Sequence, residues 1–327
     1  MQCRLFRRKD KCIKASPYDT LRLWEEFRRI VMRTLYIIGN GFDLHFKLKT
    51  KTNHFVEHLK TQPVYNEVGN AFEVLNCYGV DWYEYEQSLN DIDLDDIEFQ
   101  NEIQPDYLSD RESDRDGGIL NMQMYVDSLS EAIRSALEQM VIAANEDALA
   151  LREYYLAPKL FEAGDAILTF NYTSTIEILF EVPDSVPIFH IHGCYDQGNP
   201  LVFGYRNNQN SYVETWADID EDHWDYYVAQ QREAVYDFYK SWEKKLEIEK
   251  LMSFLSRCRK IDRVVVLGHS MSAVDSEYME QVDVSLNPLI WEISYYSIDD
   301  IERVQSQEYS FQRKIRFATM DTLLNRS

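Results

Sequence analysis

Four short polar segments carry the residue types that could do chemistry: Gly39-Asn40-Gly41-Phe42-Asp43, Thr169-Phe170-Asn171-Tyr172-Thr173, His190-Ile191-His192-Gly193 and Gly268-His269-Ser270. A glycine pair lets backbone come close to a ligand, and free N–H groups at the start of a following helix suit a phosphate. Gly39 and Gly41 supply such a turn. Leu44 stands where a dinucleotide fingerprint has its third glycine, so a tight strand-to-helix connection explains the pair equally well. Asn171 can hold a sugar hydroxyl or a water without changing charge. Alternatively, Ser174 and Glu177 have the Ser-x-x-Glu spacing of a capping box, and Asn171-Tyr172-Thr173 would then only lead into a helix. His190 and His192, two apart on a strand, share a face. No carboxylate or cysteine stands at a spacing that completes a metal site with them, and no metal is expected. His192 suits a general base, because Gly193 leaves room beside the imidazole, whereas His190 suits a buried structural role. In Gly268-His269-Ser270 the nucleophile-elbow pattern fails at Ser272, which replaces its second glycine. Ser270 or Ser272 ahead of a helix containing Asp275 makes a second phosphate or ribose cradle, or else a helix N-cap formed by Ser272 and Asp275.

Each polar segment ends a short apolar run: Thr34–Ile38, Ala166–Phe170, Pro187–Ile191 and Arg263–Leu267. Such runs are buried parallel strands, and polar residues gathered at their C-terminal ends place a site along that edge. Leu289–Tyr295 and Lys314–Ala318 add two strands, joined by a helix over Ile298–Gln307. The expected fold class is α/β, an open, mainly parallel Rossmann-like sheet flanked by helices, with helical insertions forming a cap. The inserts fall at about residues 81–160 and 209–259. Residues 81–116 hold fourteen Asp/Glu against two Arg, and Asp110–Gly118 has the composition of an exposed loop. Met122–Leu151 follows with helical spacing of Met124, Val126, Leu129, Ile133, Leu137, Met140 and Val141. The second insert, with Trp216, His223, Trp224, Tyr226, Tyr227, Tyr236, Phe238, Tyr239 and Trp242, is expected to contain one long helix from Tyr226 to Ser256.

The chain has 327 residues, 45% of them apolar, enough for a substantial core. Its 34 Lys and Arg against 56 Asp and Glu give a net charge of −22, which repels phosphate backbones and disfavours nucleic acid as a partner. A nuclease toxin would need a basic groove or a metal-binding carboxylate cluster, and neither is visible. Residues 1–33 stand apart with ten Lys/Arg and four Asp/Glu. Residues 1–31 form a basic N-terminal extension, with an amphipathic helix over Ser16–Ile30 or, if Met32 is the start, no place in the fold. Residues 32–327 form the α/β domain. Five cysteines without a C-x-x-C pair fit a reducing compartment, and no apolar run reaches the ~18 residues of a membrane span. Cytoplasmic localisation is expected.

In order, Leu35 to Leu44, Leu168 to Thr173, His190-Ile191-His192-Gly193 and Leu267-Gly268-His269-Ser270 closely resemble the AbiH family of bacterial abortive-infection proteins, over about residues 32–320. Trp82, Glu86 and Gly204-Tyr205 also match that family, while His45-Phe46-Lys47 lacks its usual loop glycine. More remotely, the same blocks resemble the sirtuin-like (SIR2) domain. That resemblance implies that Gly39 and Gly41 receive a dinucleotide phosphate, Asn171 lies on the ribose side, His192 before Gly193 is the base, and Gly268 with Ser270 holds the adenosine half. Asp43 replaces a small hydroxyl residue there, and no cysteine pair for a zinc module exists. The implied activity is hydrolysis of NAD at the nicotinamide–ribose bond to deplete the infected cell, not protein deacylation. Asn171 and His192 are the expected catalytic residues. Gly39, Asn40, Gly41, Phe42, Asp43, Thr169, Tyr172, Gly193, Gly268, His269 and Ser270 are the expected nucleotide-binding residues. Asp43 would hold a ribose, balance developing charge, or simply cap its turn. Expected partners are a nucleotide and either further copies of the chain or another defence protein, with no membrane. A non-catalytic nucleotide-sensing or adaptor module is the alternative.

Overall fold

A computed structural model describes residues 32–63, 82, 85–86, 110–206, 233, 236–258 and 260–325. The basic extension, the acidic stretch up to residue 109 apart from Trp82, Tyr85 and Glu86, and Trp216, His223, Trp224, Tyr226 and Tyr227 lie outside the described residues.

Six strands make one sheet: β1 (Thr34–Ile38), β2 (Ala166–Thr169), β3 (Ile188–His190), β4 (Arg263–Leu267), β5 (Ile290–Tyr295) and β6 (Ile315–Thr319). Every pairing is parallel, and the spatial order is β3-β2-β1-β4-β5-β6. All five β1 residues are buried, because helices cover both faces and the apolar run needs no alternation. Alternation survives in what each residue meets. Leu35, Ile37, Leu168, Val264 and Val266 face α5 (Ile248–Arg257) and α6 (Ser276–Leu286) through Leu251, Phe254, Tyr278 and Met279. Tyr36, Ile38, Ile167, Val265 and Leu267 face Phe42, Phe161, Ile176, Leu179 and Leu323. From β1 the chain builds outward to β2 and β3, returns to β4 on the other side, and builds outward again. Direction thus reverses between β1 and β4, where open parallel sheets form a crevice.

The shorter helices are α1 (Asn40–His45), α2 (Thr52–Leu59), α4 (Thr175–Leu179), α7 (Ile298–Ser306) and α8 (Met320–Leu324). α3 (Glu112–Arg152) runs 41 residues, about 60 Å at the standard rise. Its central part, Val126 to Val141, packs with Phe55 and Leu59 of α2 and with Tyr85, Phe203, Phe238 and Trp242 in a core separate from the sheet. Farther on, Ala148 and Leu151 join the sheet's own core. One helix therefore serves both the cap and the sheet.

Two expectations are corrected. Asp110–Gly118 is not a loop, since α3 begins at Glu112. Acidic sequence at a helix start is favourable in general, because carboxylates suit the positive end of the helix dipole. Gly117 and Gly118 cost only about 1 kcal/mol each in a helix of that length. Nor does one helix run from Tyr226 to Ser256: helical residues 236–241 stop at Trp242, Glu243 forms a bridge with Tyr205, and α5 starts at Ile248. Tyr205 N–H donates to the Trp242 carbonyl at 3.0 Å and Lys244 N–H to the Tyr205 carbonyl at 2.8 Å, so this segment is extended by cross-chain pairing. Of the apolar residues named in the helical pattern of Met122–Leu151, Val126, Leu129, Ile133, Leu137, Met140 and Val141 are buried and Met124 is 67% exposed. Among the described residues, no helix is long and apolar enough to cross a membrane.

Candidate functional site

The β1 and β4 strand ends meet through their glycine turns. Gly39 N–H donates to the Leu267 carbonyl at 3.0 Å, Gly41 N–H to the Gly268 carbonyl at 2.7 Å, and Phe42 N–H back to the Gly39 carbonyl at 2.9 Å. A Cβ on Gly39 would lie 2.5 Å from His269 Cα, and one on Gly268, with φ +70°, 2.0 Å from Phe42 N. The turns need glycine because each backbone occupies the other's side-chain space. Three amides that could have faced a phosphate are engaged by carbonyls. Gly268 N–H donates to Ser294 Oγ at 2.8 Å, and the Asn40 amide to the Thr50 carbonyl at 3.1 Å. The Phe42 ring enters the core against Phe46 and Phe180, while Ser270 is exposed and its carbonyl accepts from Arg303 at 3.2 Å.

Beside this junction lies a first polar cluster. Asp43 is 1% exposed, and its Oδ2 accepts from Thr173 Oγ1 at 2.7 Å, which in turn accepts from Thr175 Oγ1 at 3.0 Å. Burial pushes the Asp43 pKa up to about 6, restrained by Thr173, Thr175 and Asn171. Asn171 N–H donates to Thr169 Oγ1 at 3.1 Å, which fixes its backbone as β2 ends. Both side-chain atoms of Asn171 and Oδ1 of Asp43 are buried without a hydrogen-bond partner.

The segment behind Asn171 is held from two sides. Asn145 of α3 accepts from Ser174 N–H at 3.0 Å and donates to Asp196 at 2.9 Å, while Ser174 Oγ also donates to Asp196 at 2.7 Å. The expected capping box is absent: Ser174 makes no cap bond, and Glu177 instead faces His190 Nε2 at 2.8 Å. A buried imidazole in reach of that carboxylate outcompetes the local cap. Burial alone would lower the His190 pKa, but Cys194 and Glu177 outweigh it and raise it to about 10. As an imidazolium, His190 donates through Nδ1 to the Asn171 carbonyl at 3.2 Å. It is a structural residue for the Asn171 turn.

A second cluster forms around His192. β3 ends at His190, and Gly193, with φ +83°, admits the Pro200 carbonyl to within 2.2 Å of where a Cβ would stand. The His192 ring packs against Phe170 (5.2 Å between centroids), Tyr172 (6.4 Å) and Tyr278 (6.3 Å). One ring nitrogen faces the Phe170 carbonyl, and Nε2 has no partner. Burial, reinforced by Lys244, lowers the His192 pKa to about 3, so the ring is neutral with Nε2 as an open acceptor. Phe170 also touches His269, at 4.3 Å. His269 Nδ1 accepts from Met271 N–H at 3.0 Å, which leaves the proton on Nε2, 3.3 Å from Asp275 Oδ2. Burial opposes ionisation of Asp275, but His269 and Lys244 outweigh it and hold its carboxyl well below the usual range. Asp275 Oδ1 has no partner. Lys244 lies 3.5 Å from Glu86, both largely buried, and burial raises the Glu86 pKa while Lys244 restrains it. The alternative of a Ser272–Asp275 N-cap is not what forms, since Ser272 makes no cap bond.

The polar residues therefore fall into two clusters, Asp43–Asn171–Thr173 and His192–His269–Asp275–Lys244–Glu86, on either side of the Phe170–Tyr172 backbone. No hydrogen bond or ring contact joins the side chains of Asn171 and His192 among the described residues. Tyr172 spans the gap, its hydroxyl donating to the Val202 carbonyl at 2.9 Å. Lys244 and the ionic role of Asp275 were invisible in the sequence. Lys244 sits in Glu243-Lys244-Lys245, which looks like any solvated run, while Glu86 was marked only by resemblance. Among the described residues no group of three His, Cys, Asp or Glu is placed to hold a metal ion.

A family model described as "Bacteriophage abortive infection AbiH" matches residues 35–295, a span that contains all four polar segments and, apart from Thr34 at the start of β1, five of the six strands. No curated protein matches the chain.

Proposed function

The chain belongs to the AbiH family, whose role is phage abortive infection, and from that premise we propose that it acts by hydrolysing NAD at the nicotinamide–ribose bond. The supporting observation is the strand order β3-β2-β1-β4-β5-β6, the order that binds dinucleotides at the β1/β4 reversal. Asp43, Asn171 and His192 follow the ends of β1, β2 and β3 on that same edge. Breaking the bond from ribose C1′ to the pyridinium nitrogen leaves the electron pair on nicotinamide and positive charge on the sugar. The Asp43 carboxylate, ionised above about pH 6, balances that charge. Asn171 holds water or a ribose hydroxyl through its two unpartnered atoms. Water adds at C1′ and loses its proton through His192 to solvent, giving ADP-ribose, nicotinamide and a proton. A nucleotide ligand, self-assembly or a second defence protein, and a cytoplasmic setting complete the reading.

One observation favours the sensing alternative: an imidazole with a pKa near about 3 is a weak proton acceptor, suited to hold a hydroxyl without chemistry. The deciding experiment is cellular NAD by mass spectrometry after phage infection, in wild type, Asn171→Ala and His192→Ala. NAD should fall at least about tenfold in wild type and stay near the uninfected level in both variants. Effective defence with unchanged NAD would sink the hydrolysis reading. If Asn171→Ala still abolished defence under that condition, the site would be a sensor.

A further inference from the structure

Behind the Asn171 turn the chain brings a thiol, an imidazole and a carboxylate together. Cys194 follows His190 past the Gly193 bend, and its side chain is fully buried. His190 Nε2 lies 2.8 Å from Glu177 Oε1, its Nδ1 donates to the Asn171 carbonyl at 3.2 Å, and the ring's hydrogen bonding extends to the Cys194 sulfur. Ser174 Oγ lies 3.4 Å from Cys194 Sγ and 2.7 Å from Asp196 Oδ2. Its one proton can turn to the sulfur without stranding Asp196, which also accepts from Asn145. The Gln197 N–H is a further donor to the sulfur. Imidazolium, hydroxyl and amide are thus in reach of one sulfur, a setting that favours thiolate over thiol. Burial by itself raises the Cys194 pKa, but His190 and Ser174 outweigh it and hold the thiol below its ordinary value. Cys258 is the contrast: its Sγ donates to the Phe254 carbonyl at 3.4 Å, and burial pushes its thiol up to about 11.

The cover over Cys194 is thin. Tyr195 to Pro200 are all exposed. The 3-10 turn Tyr195–Gln197 is closed by Gly198 N–H on the Tyr195 carbonyl at 2.9 Å and by Asn199 N–H on the Cys194 carbonyl at 3.3 Å. A short exposed turn of this kind opens at low free-energy cost, which admits a small reagent and shuts out a folded partner. The neighbours of the sulfur have a second duty. His190 holds the Asn171 carbonyl, and Ser174 N–H donates to Asn145 of α3, so both fix the Asn171–Ser174 segment. An oxygen added to a sulfur with no free surface must displace one of them.

We infer that Cys194 is an oxidant-reactive site, at which hydrogen peroxide forms a sulfenic acid and thereby loosens the Asn171–Ser174 segment. The thiolate sulfur attacks one peroxide oxygen, the S–O bond forms and the O–O bond breaks. Sulfur loses two electrons and the peroxide gains them, while the leaving hydroxide takes a proton from the His190 imidazolium and departs as water. A small thiol reduces the sulfenic acid back. None of these steps needs NAD or its cleavage.

In the test, the full chain is treated with hydrogen peroxide in the presence of dimedone, which traps sulfenic acid, and the Cys194 and Cys258 peptides are followed by mass spectrometry. Cys194 should be trapped at least about tenfold faster than Cys258. Glu177→Gln keeps shape and removes the charge behind His190, and should slow Cys194 by about fivefold or more while leaving Cys258 unchanged. The pH profile of alkylation by iodoacetamide in wild type gives a readout that needs no variant. The ionisable groups facing the sulfur are His190 of β3, with Glu177 of α4 behind it, and Asp196 through Ser174. The Cys194 rate should reach its plateau below the pH at which an ordinary thiol ionises, whereas the Cys258 rate should still be rising there. Hydrogen exchange at residues 171–174 should rise about tenfold or more after peroxide treatment of wild type, and not in Cys194→Ser. Cys194 no more reactive than Cys258 towards either reagent overturns the inference and leaves an inert core thiol. Trapping with unchanged exchange overturns the link to the Asn171–Ser174 segment.

Discussion

Asp43 shows most directly how a functional group weighs on stability. Its carboxyl is raised from an ordinary 3.8 to about 6 in the fold, so folding favours its protonated form. The stabilisation from that proton is complete below about pH 4 and is lost as pH rises through about 6. At pH 7.5 the ionised group is therefore a net burden of order 2–3 kcal/mol on the native state. Asp43→Asn keeps an acceptor for Thr173 and removes the charge. It should raise unfolding free energy at pH 7.5 by up to about 2 kcal/mol, and the advantage over wild type should vanish near pH 4, as read by urea denaturation across pH. His192 works in the opposite sense, since its lowered pKa costs stability as pH falls below 6.5, and the comparison with the variant cancels it. A variant less stable than wild type at every pH would show that Asp43 is ionised and well satisfied. At this scale the sequence picks out Asn171 and His192, each of which directly follows an apolar run, and the structure buries both. The sequence was silent on Lys244 and on the Asp275–His269 pair, because in a chain that is 28% charged a single buried ion leaves no mark of spacing or period.

For whole elements, the two kinds of glycine in this chain make opposite predictions. Gly268 has φ +70° and a would-be Cβ 2.0 Å from Phe42 N. Gly268→Ala must push the β1 and β4 turns apart, and should cost at least about 3 kcal/mol in unfolding free energy. Gly117 is inside α3 with nothing within 4 Å of its would-be Cβ. Gly117→Ala should stabilise by about 0.5–1 kcal/mol through helix propensity alone, measurable by the urea midpoint. No gain there would mean that the first turns of α3 are not helical in solution, as the loop-like composition of Asp110–Gly118 had suggested. Composition misled at that point because acidic residues and glycines mark loops and also helix starts. The strands were easier: all six fall within two residues of their sequence-read bounds, since β-branched runs between polar turns admit little else. The Trp242 break was hidden, because nothing local announces that the backbone of Tyr205 will pair with it.

The molecule as a whole is tied together above the sheet edge by residues from both inserts. Glu86 comes from the first insert and Lys244 from the second, and both are largely buried. Near them Trp242 packs with Phe203 and Phe238 in the cap core. The sequence could name the strands and the edge where their polar turns gather, but it could not give their lateral order. Strands buried on both faces carry no mark of which neighbour they meet, and the return from β3 to β4 passes through the least patterned part of the chain. The Lys244–Glu86 pair tests whether cap and site form one unit. Lys244→Met strands the Glu86 carboxyl and should cost about 3–5 kcal/mol, whereas adding Glu86→Leu should recover most of that loss. A double-mutant cycle in urea measures the coupling. The readout specific to the site is the His192 imidazole, whose low pKa owes a part to the Lys244 charge. In the double variant its NMR titration should move upward while burial still keeps it below 6.5. Recovery of stability with no movement of His192 would make the pair a cap fastener alone. Movement of both would mean that the cap sets the charge state of the site it covers, so that any partner displacing Lys244 would also change how readily His192 takes a proton.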